Sequence, residues 1–237
     1  MVKPIATASL LVVTAVPSVL QFFLPGLEPA LMRDPAAIRT GEWWRLATSL
    51  VVQDGGVFGT LFNLGFLAVL GYLAERSLGP ARWLILYAAG AVAGQAAGYL
   101  FNDPGAGNSI ALCGLAAGLA LACEGSLERS VGAFYAAMLG ASALAPSGGI
   151  WSWVVTVALT AAGFQLVVRH ERLPVWLFPV VLAVVGVMLA ALADLHGVAL
   201  LGGMIAAWAL TESPVRPHGL RRSRKERAVL HLRHRGG

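Results

Sequence analysis

The chain has 237 residues, of which 57% are apolar and 12% are charged, and its mean hydropathy is +0.73. A soluble globular domain carries about a quarter of its residues as charges, so this composition excludes that class and indicates a polytopic membrane protein. The formal net charge is +5, and eight of the 17 Lys and Arg residues lie in residues 214–237.

Hydrophobic runs bounded by charges, Gly and Pro predict the membrane spans. They lie at 5–24, 57–76, 83–101, 109–124, 131–146, 150–168, 174–193 and 196–211. About 20 apolar residues cross a bilayer as a helix. Two of the runs, between 131 and 168, are short, and a re-entrant segment is the alternative there. The sequence therefore predicts an all-α transmembrane helix bundle of about six to eight spans, with residues 1–213 as one membrane domain.

The connection between the first two spans, residues 25–55, contains the segment GEWWRLATSLVV. Paired tryptophans are typical of a membrane–water interface. We therefore expect an amphipathic helix in this connection, lying in the headgroup region.

The distribution of basic residues predicts the orientation. If Lys3 is cytoplasmic, the opposite side has only Arg33, Arg39 and Arg45, in agreement with the positive-inside rule. Both termini are then cytoplasmic, and residues 214–237 form a basic tail. Contact of this tail with anionic lipids is favoured over nucleic acid, because no aromatic residue interleaves its charges.

Two polar residues begin helices on the same, outer side of the membrane in this topology. Ser109 follows the turn NDPGAG, and His196 follows the connection ADL. A serine becomes a useful nucleophile when a base takes its proton, and an ionisable residue inside a span is more often functional than structural. The small residues Ala199 and Gly203 after His196 allow another helix to approach closely. We predict a Ser109–His196 dyad, against the alternative that Ser109 is only a helix N-cap.

Hydrogen-bond donors for an oxyanion are also predicted near Ser109. Gly105 and Gly107 allow a tight turn, so that the backbone amides of Asn108 and Ser109 are free at the helix start. Asn63 lies in an apolar span and offers a side-chain amide for the same purpose. The alternative for Asn63 is an ordinary hydrogen bond between helices.

Four segments follow one another in the order expected of the rhomboid family of intramembrane serine proteases. They are GEWWRLATSL, LFNLGFLAVLGYLAERSLG, GNSIALCGLAAG and a last helix that contains a histidine, and the resemblance extends from about Gly41 to Leu210. It implies that Ser109 is the nucleophile, His196 the general base and acid, and Asn63 an oxyanion-hole side chain. It also implies an endopeptidase in a bacterial plasma membrane that cleaves transmembrane or juxtamembrane protein segments without a metal or organic cofactor.

Three departures from the family pattern keep a second interpretation open. Ile110 follows the serine where the family usually has Gly, and Gly59 stands where the family often has a histidine. In addition, ALLGGMIAA can be aligned so that Leu200 takes the histidine position. The alternative function is a catalytically inactive rhomboid-like protein that binds membrane helices. A small transporter or channel is disfavoured, because the spans lack the several buried charges of an ion path.

Overall fold

The structure is a computed structural model and describes residues 3–144 and 149–212. These residues form α-helices, one 3-10 turn (His170–Arg172) and a single β-bridge between Arg33 and Gly105. The basic tail, 214–237, lies outside the described residues, so its contact with anionic lipids stays a prediction. The helices, in chain order, are α1 (Ile5–Leu20), α2 (Leu27–Leu31), α3 (Pro35–Arg39), α4 (Arg45–Thr48), α5 (Gly56–Leu78), α6 (Pro80–Leu100), α7 (Ser109–Ala122), α8 (Ser126–Leu144), α9 (Gly149–Val168), α10 (Leu177–Ala191) and α11 (Leu195–Glu212).

Each of the eight predicted spans corresponds to a long helix, and the predicted all-α bundle is confirmed. The largest difference is at α8, which begins at Ser126 instead of 131 because the polar turn SLER extends the helix ahead of its apolar run. Helices α8 and α9 have 19 and 20 residues, about 30 Å each at 1.5 Å per residue. Their lengths alone match the thickness of the hydrocarbon core, and the choice between two full crossings and a re-entrant segment stays a prediction.

Three of the described helices are long and apolar enough to cross a bilayer: α5, α6 and α11. Four further apolar segments of the described chain are shorter, namely Ile5–Leu20, Ser109–Ala122, Val154–Val168 and Leu177–Ala191. Together with the composition, these helices identify an integral membrane protein.

Helix α7 forms the centre of the bundle. Its residues from Ile110 to Ala120 are all buried, and α5, α6, α8, α10 and α11 pack around it. A side chain at Gly114 would collide with the backbone carbonyl of Leu86 in α6, and a Cβ at Gly203 of α11 would stand 2.7 Å from the Cα of Gly114. Close backbone contact of this kind drives helix association where lipid offers no hydrophobic gain. The glycines therefore fix α6 and α11 against the central helix.

The remaining long helices lie outside this ring. Helix α1 packs on α5, and α9 packs on α8. The connection 25–55 contains three short helices in place of one amphipathic helix. The chain is extended at Met32 and at Asp34, just before Pro35 starts α3, and Gly41 after α3 has a positive φ of 115°. Its Trp43 and Trp44 are both more than half exposed, as expected of side chains that meet lipid headgroups.

Glu75, in α5, caps the start of α1. It is almost fully buried, and its carboxylate accepts the backbone N–H of Ala6 (2.9 Å) and of Thr7 (2.7 Å). The first N–H groups of a helix have no partner inside the helix, and a negative charge there is favourable. Glu75 therefore joins the first helix to the rest of the bundle.

Replacing Glu75 by Ala is expected to lower the free energy of unfolding by about 1–3 kcal/mol, because two N–H groups lose their acceptor. The midpoint of thermal unfolding in detergent measures this loss. Glu75→Gln is the control, since it keeps one acceptor oxygen and should cost less. An unchanged midpoint for Glu75→Ala would argue against the capping role.

Candidate active site

Ser109 lies at the bottom of a recess in the bundle. The chain leaves α6 at Leu100 and returns through the serine loop, residues 101–108, to start α7 at Ser109. The next residue, Ile110, packs its side chain against Gly94 of α6. Gly94 precedes the end of α6 by six residues, about 9 Å along a helix. The serine therefore lies about that far below the end of its neighbouring helix.

His196 lies directly beside this serine. Its Nε2 atom is 2.9 Å from the Ser109 Oγ atom, within hydrogen-bond distance. The histidine is in the first turn of α11, and the imidazole is 25% exposed. Leu200, the other candidate for this position, is one turn further along α11 and fully buried in the core. Of the two registers, the structure brings His196 to the serine.

The other nitrogen of the imidazole has a carboxylate partner that was not predicted from the sequence. His196 Nδ1 lies 2.7 Å from Asp194 Oδ1. Asp194 belongs to the connection ADL, where an Asp before a helix is common as an N-cap. Its position two residues before the histidine was the available signal, but that spacing is too frequent to be specific.

Asn63 is close to the serine and is held by a buried glutamine. It donates an Nδ2–H to Gln53 Oε1 (2.6 Å). The side-chain amide of Gln21 in turn holds the Gln53 backbone: it donates an Nε2–H to the Gln53 carbonyl (2.6 Å) and accepts the Gln53 N–H at Oε1 (2.9 Å). A Cβ at Gly107 would stand 3.2 Å from Asn63 Nδ2 and 3.7 Å from Ser109 Oγ. The amide and the hydroxyl therefore border the same space, which Gly107 leaves open.

The Asn108 side chain points away from the cavity at the serine. It is fully buried beside the Tyr87 hydroxyl and does not line this cavity. The oxyanion role of the Asn108 backbone amide, next to that of Ser109 at the helix start, stays a prediction. The Ser109 carbonyl accepts a hydrogen bond from the buried Tyr135 hydroxyl (3.1 Å), which fixes this end of α7.

Arg33 ties the serine loop to the connection after α2. It donates its backbone N–H to the Gly105 carbonyl (2.8 Å), its Nε–H to the Asp103 carbonyl (2.8 Å) and its NH1 group to Gln95 Oε1 (3.1 Å). The side chain is almost fully buried. The sequence predicted Arg33 only as a charge of the outer loop, because nothing in its neighbourhood reveals partners 62 to 72 positions away.

A cavity of about 170 Å³ leads to the dyad. Its wall combines charged side chains, the serine loop and both members of the dyad: Arg33, Asp54, Asp103, Pro104, Gly105, Ala106, Gly107, Ser109, Ile110, Leu195 and His196. Its volume is sufficient for several water molecules, and its polar wall offers them hydrogen-bond partners. The arrangement brings a serine, a histidine and a polar cavity together at one point within the bundle.

Two of the departures from the family pattern are visible here. Ile110 packs against Gly94 and also forms part of the cavity wall, so it narrows the space beside the serine. Gly59 has open space where a side chain would stand, and the donor that a histidine would provide is missing. Asn63 Nδ2 and the backbone amides at the start of α7 stay the predicted donors beside Ser109.

Comparison with known proteins identifies the family. Residues 40–157 match the rhomboid domain, a range that contains Asn63 and Ser109 and ends before His196. The chain is 36% identical over 83 residues to rhomboid protease GluP of Bacillus subtilis strain 168, covering 35% of this chain and 16% of GluP. It is 33% identical over 84 residues to YdcA of the same organism, a provisionally named rhomboid protease, covering 33% of this chain and 42% of YdcA.

The matched segments thus span less than half the length of either curated relative. No solved structure matches the chain significantly. The rhomboid match, the two relatives and the all-helical bundle agree with the resemblance of the sequence motifs. The chain belongs to the rhomboid family.

Proposed function

We propose that this protein is an intramembrane serine endopeptidase in which Ser109 is the nucleophile and His196 is the general base. The observation that supports this proposal most directly is the distance of 2.9 Å between Ser109 Oγ and His196 Nε2. It meets the geometric requirement for a base that takes a proton from a hydroxyl.

The reaction follows from this contact. Nε2 of His196 takes the proton of the Ser109 hydroxyl while Oγ forms a bond to the carbonyl carbon of the scissile peptide. When the tetrahedral intermediate collapses, the C–N bond breaks and Nε2 gives the proton to the leaving amine. Water then attacks the ester at Ser109 with His196 again as the base, which frees the acid product and restores the hydroxyl.

The negative oxygen of the intermediate requires hydrogen-bond donors, and the proposed donors are the backbone amides of Asn108 and Ser109 and the side-chain amide of Asn63. The backbone N–H groups of Asn108 and Ser109 lie at a helix start, where the favourable helix dipole adds to their effect. The second N–H of the Asn63 amide supplies a further donor, while Gln53 holds the first. Each donor of this kind contributes about 2.7–4 kcal/mol to stabilisation of the transition state.

Transmembrane protein segments are the substrate class that fits this site. The dyad lies about 9 Å below the end of α6, so a soluble loop has to descend into the bundle to reach it. A segment that enters from the bilayer already lies at that depth. Its helix has to unwind locally, because a peptide bond inside a helix is not accessible to a serine.

Labelling with a fluorophosphonate, which reacts with activated serines, tests the proposal on detergent-purified protein. We expect the wild type to be labelled and Ser109→Ala to be unlabelled. Ser126→Ala is a matched control, because the Ser126 hydroxyl also contacts a histidine, His170, at 2.8 Å. Loss of label in Ser109→Ala alone would support the protease.

An unlabelled wild type, in a preparation where an active rhomboid protease is labelled, would overturn the proposal. The second candidate, an inactive protein that binds membrane helices, would then be favoured by the missing donor at Gly59 and by Ile110 in the cavity wall. Co-purification with single-span membrane proteins would test that function.

A further inference from the structure

Asp194 stands on the opposite side of the imidazole from Ser109. Its Oδ1 atom accepts the backbone N–H of His196 (2.9 Å) and lies 2.7 Å from His196 Nδ1. Asp194 is itself held in place, because its N–H donates to the Leu189 carbonyl (2.9 Å) and Ala193 before it has a left-handed backbone, with φ of 57°. The Asp194 carboxylate, the His196 imidazole and the Ser109 hydroxyl thus form a continuous chain of hydrogen bonds.

Helix capping explains only one of these two contacts. An Asp ahead of a helix commonly accepts the N–H of the second helical residue, and that accounts for the bond to the His196 backbone. It does not require the side chain of that residue to turn back onto the same oxygen. The bond to Nδ1 is an additional feature.

This second bond determines which ring nitrogen is protonated. An ionised carboxylate only accepts hydrogen bonds, and a neutral imidazole carries a single proton. The proton therefore lies on Nδ1 and points at Asp194, which leaves Nε2 bare and able to accept the proton of Ser109. Without Asp194, the two tautomers compete, and one of them cannot act as a base toward the serine.

We propose that Asp194 is a positioning residue that completes a Ser109–His196–Asp194 triad. This inference rests on the proposed function and adds a third member to its dyad. Asp194 holds the ring and its tautomer, and it stabilises the imidazolium that forms when Nε2 takes the serine proton. The carboxylate stays ionised throughout, and the only proton that moves is the one between Oγ, Nε2 and the leaving amine.

The charge state of Asp194 agrees with this role. Burial raises the pKa of Asp194, but the hydrogen bonds and the charge of His196 outweigh burial and hold the pKa below its usual range. A lowered carboxyl pKa means that the carboxylate is present at neutral pH. Its contribution to stability is complete above the ordinary carboxyl pKa and is lost as the pH falls through the lowered value.

Asp194→Ser separates the triad from the helix cap. Serine is also a good N-cap, so this variant retains the bond to the His196 backbone but has no carboxylate for Nδ1. Asp34→Ser is the matched control, because Asp34 caps α3 through the N–H groups of Ala36 and Ala37 and lies outside the dyad. Asp194→Glu is added as the variant that restores a carboxylate.

The readouts are the kinetics of fluorophosphonate labelling and the thermal midpoint in detergent. For Asp194→Ser we expect the maximal labelling rate to fall about 10²- to 10⁴-fold. The probe concentration at half-maximal rate and the thermal midpoint should change no more than in Asp34→Ser. Asp194→Glu should recover part of the rate.

Two outcomes overturn the inference while leaving the protease in place. In the first, Asp194→Ser labels at the wild-type rate. In the second, its rate falls only together with a thermal midpoint well below that of Asp34→Ser, which identifies a structural role. If the wild type is not labelled at Ser109 at all, the proposed function fails and the triad fails with it.

Discussion

His196→Leu abolishes labelling of Ser109 by a fluorophosphonate, if the dyad operates as proposed. Leucine is similar in volume but has no nitrogen to take the proton from Oγ, which lies 2.9 Å from Nε2 in the wild type. General-base assistance contributes about 10²- to 10⁴-fold to such a step. The rate of label incorporation, followed by in-gel fluorescence, gives the size of the loss.

His170→Leu is the control that makes this result specific. His170 also lies beside a serine, with Nδ1 2.8 Å from Ser126 Oγ, but it is near the opposite end of α7. That helix has 14 residues, so the two histidines are separated by about 20 Å along its axis. Retained labelling in His196→Leu, or an equal loss in His170→Leu, would contradict the assignment of the base.

The second large effect is expected at the centre of the bundle. Gly114→Val should prevent α6, α7 and α11 from packing, because a side chain there meets the Leu86 carbonyl and the backbone of Gly90. Backbone atoms cannot rotate away as side chains do, so the helices have to separate. Overpacking of a core typically costs about 1–3 kcal/mol, and the cost here lies at or above the upper end.

Thermal unfolding in detergent measures this effect, with Gly114→Ala as the smaller change if the valine variant does not accumulate. Gly65→Val is the matched control, because a Cβ at Gly65 of α5 meets nothing within 4 Å. The expected order of midpoints is Gly65→Val above Gly114→Ala above Gly114→Val. A midpoint for Gly114→Val equal to that of Gly65→Val would show that the close approach of the helices is not needed.

The sequence predicted the elements well because membrane spans are long and depend on composition. Apolar runs located all eight long helices, and charge parity placed Ser109 and His196 at the same end of two of them. The structure puts these residues in contact. The sequence alone did not decide whether His196 or Leu200 faces the serine. The packing of Gly203 on Gly114 sets this register, and it is a contact between helices that are distant in the chain.

The supporting residues were not predictable for the same reason. Asp194, Gln53 and Arg33 lie in connections, where acidic, amide and basic side chains are common and have no periodicity. Each acts through a partner whose position depends on the folded loop: the imidazole for Asp194, Asn63 for Gln53 and the serine loop for Arg33. Local propensity assigns such residues to caps and surface loops, and only tertiary contact distinguishes them.

The short length of α7 has a consequence for the supply of water. Helix α7 has 14 residues and α5 has 23, about 21 Å and 35 Å. Hydrolysis consumes one water for every peptide bond, and the hydrocarbon core of a bilayer contains almost none. Because α7 is short, a polar recess remains above Ser109, and water can enter the bundle through it. In the proposed reaction this recess sets the concentration of water at the acyl-enzyme, so deacylation is the step that depends on it.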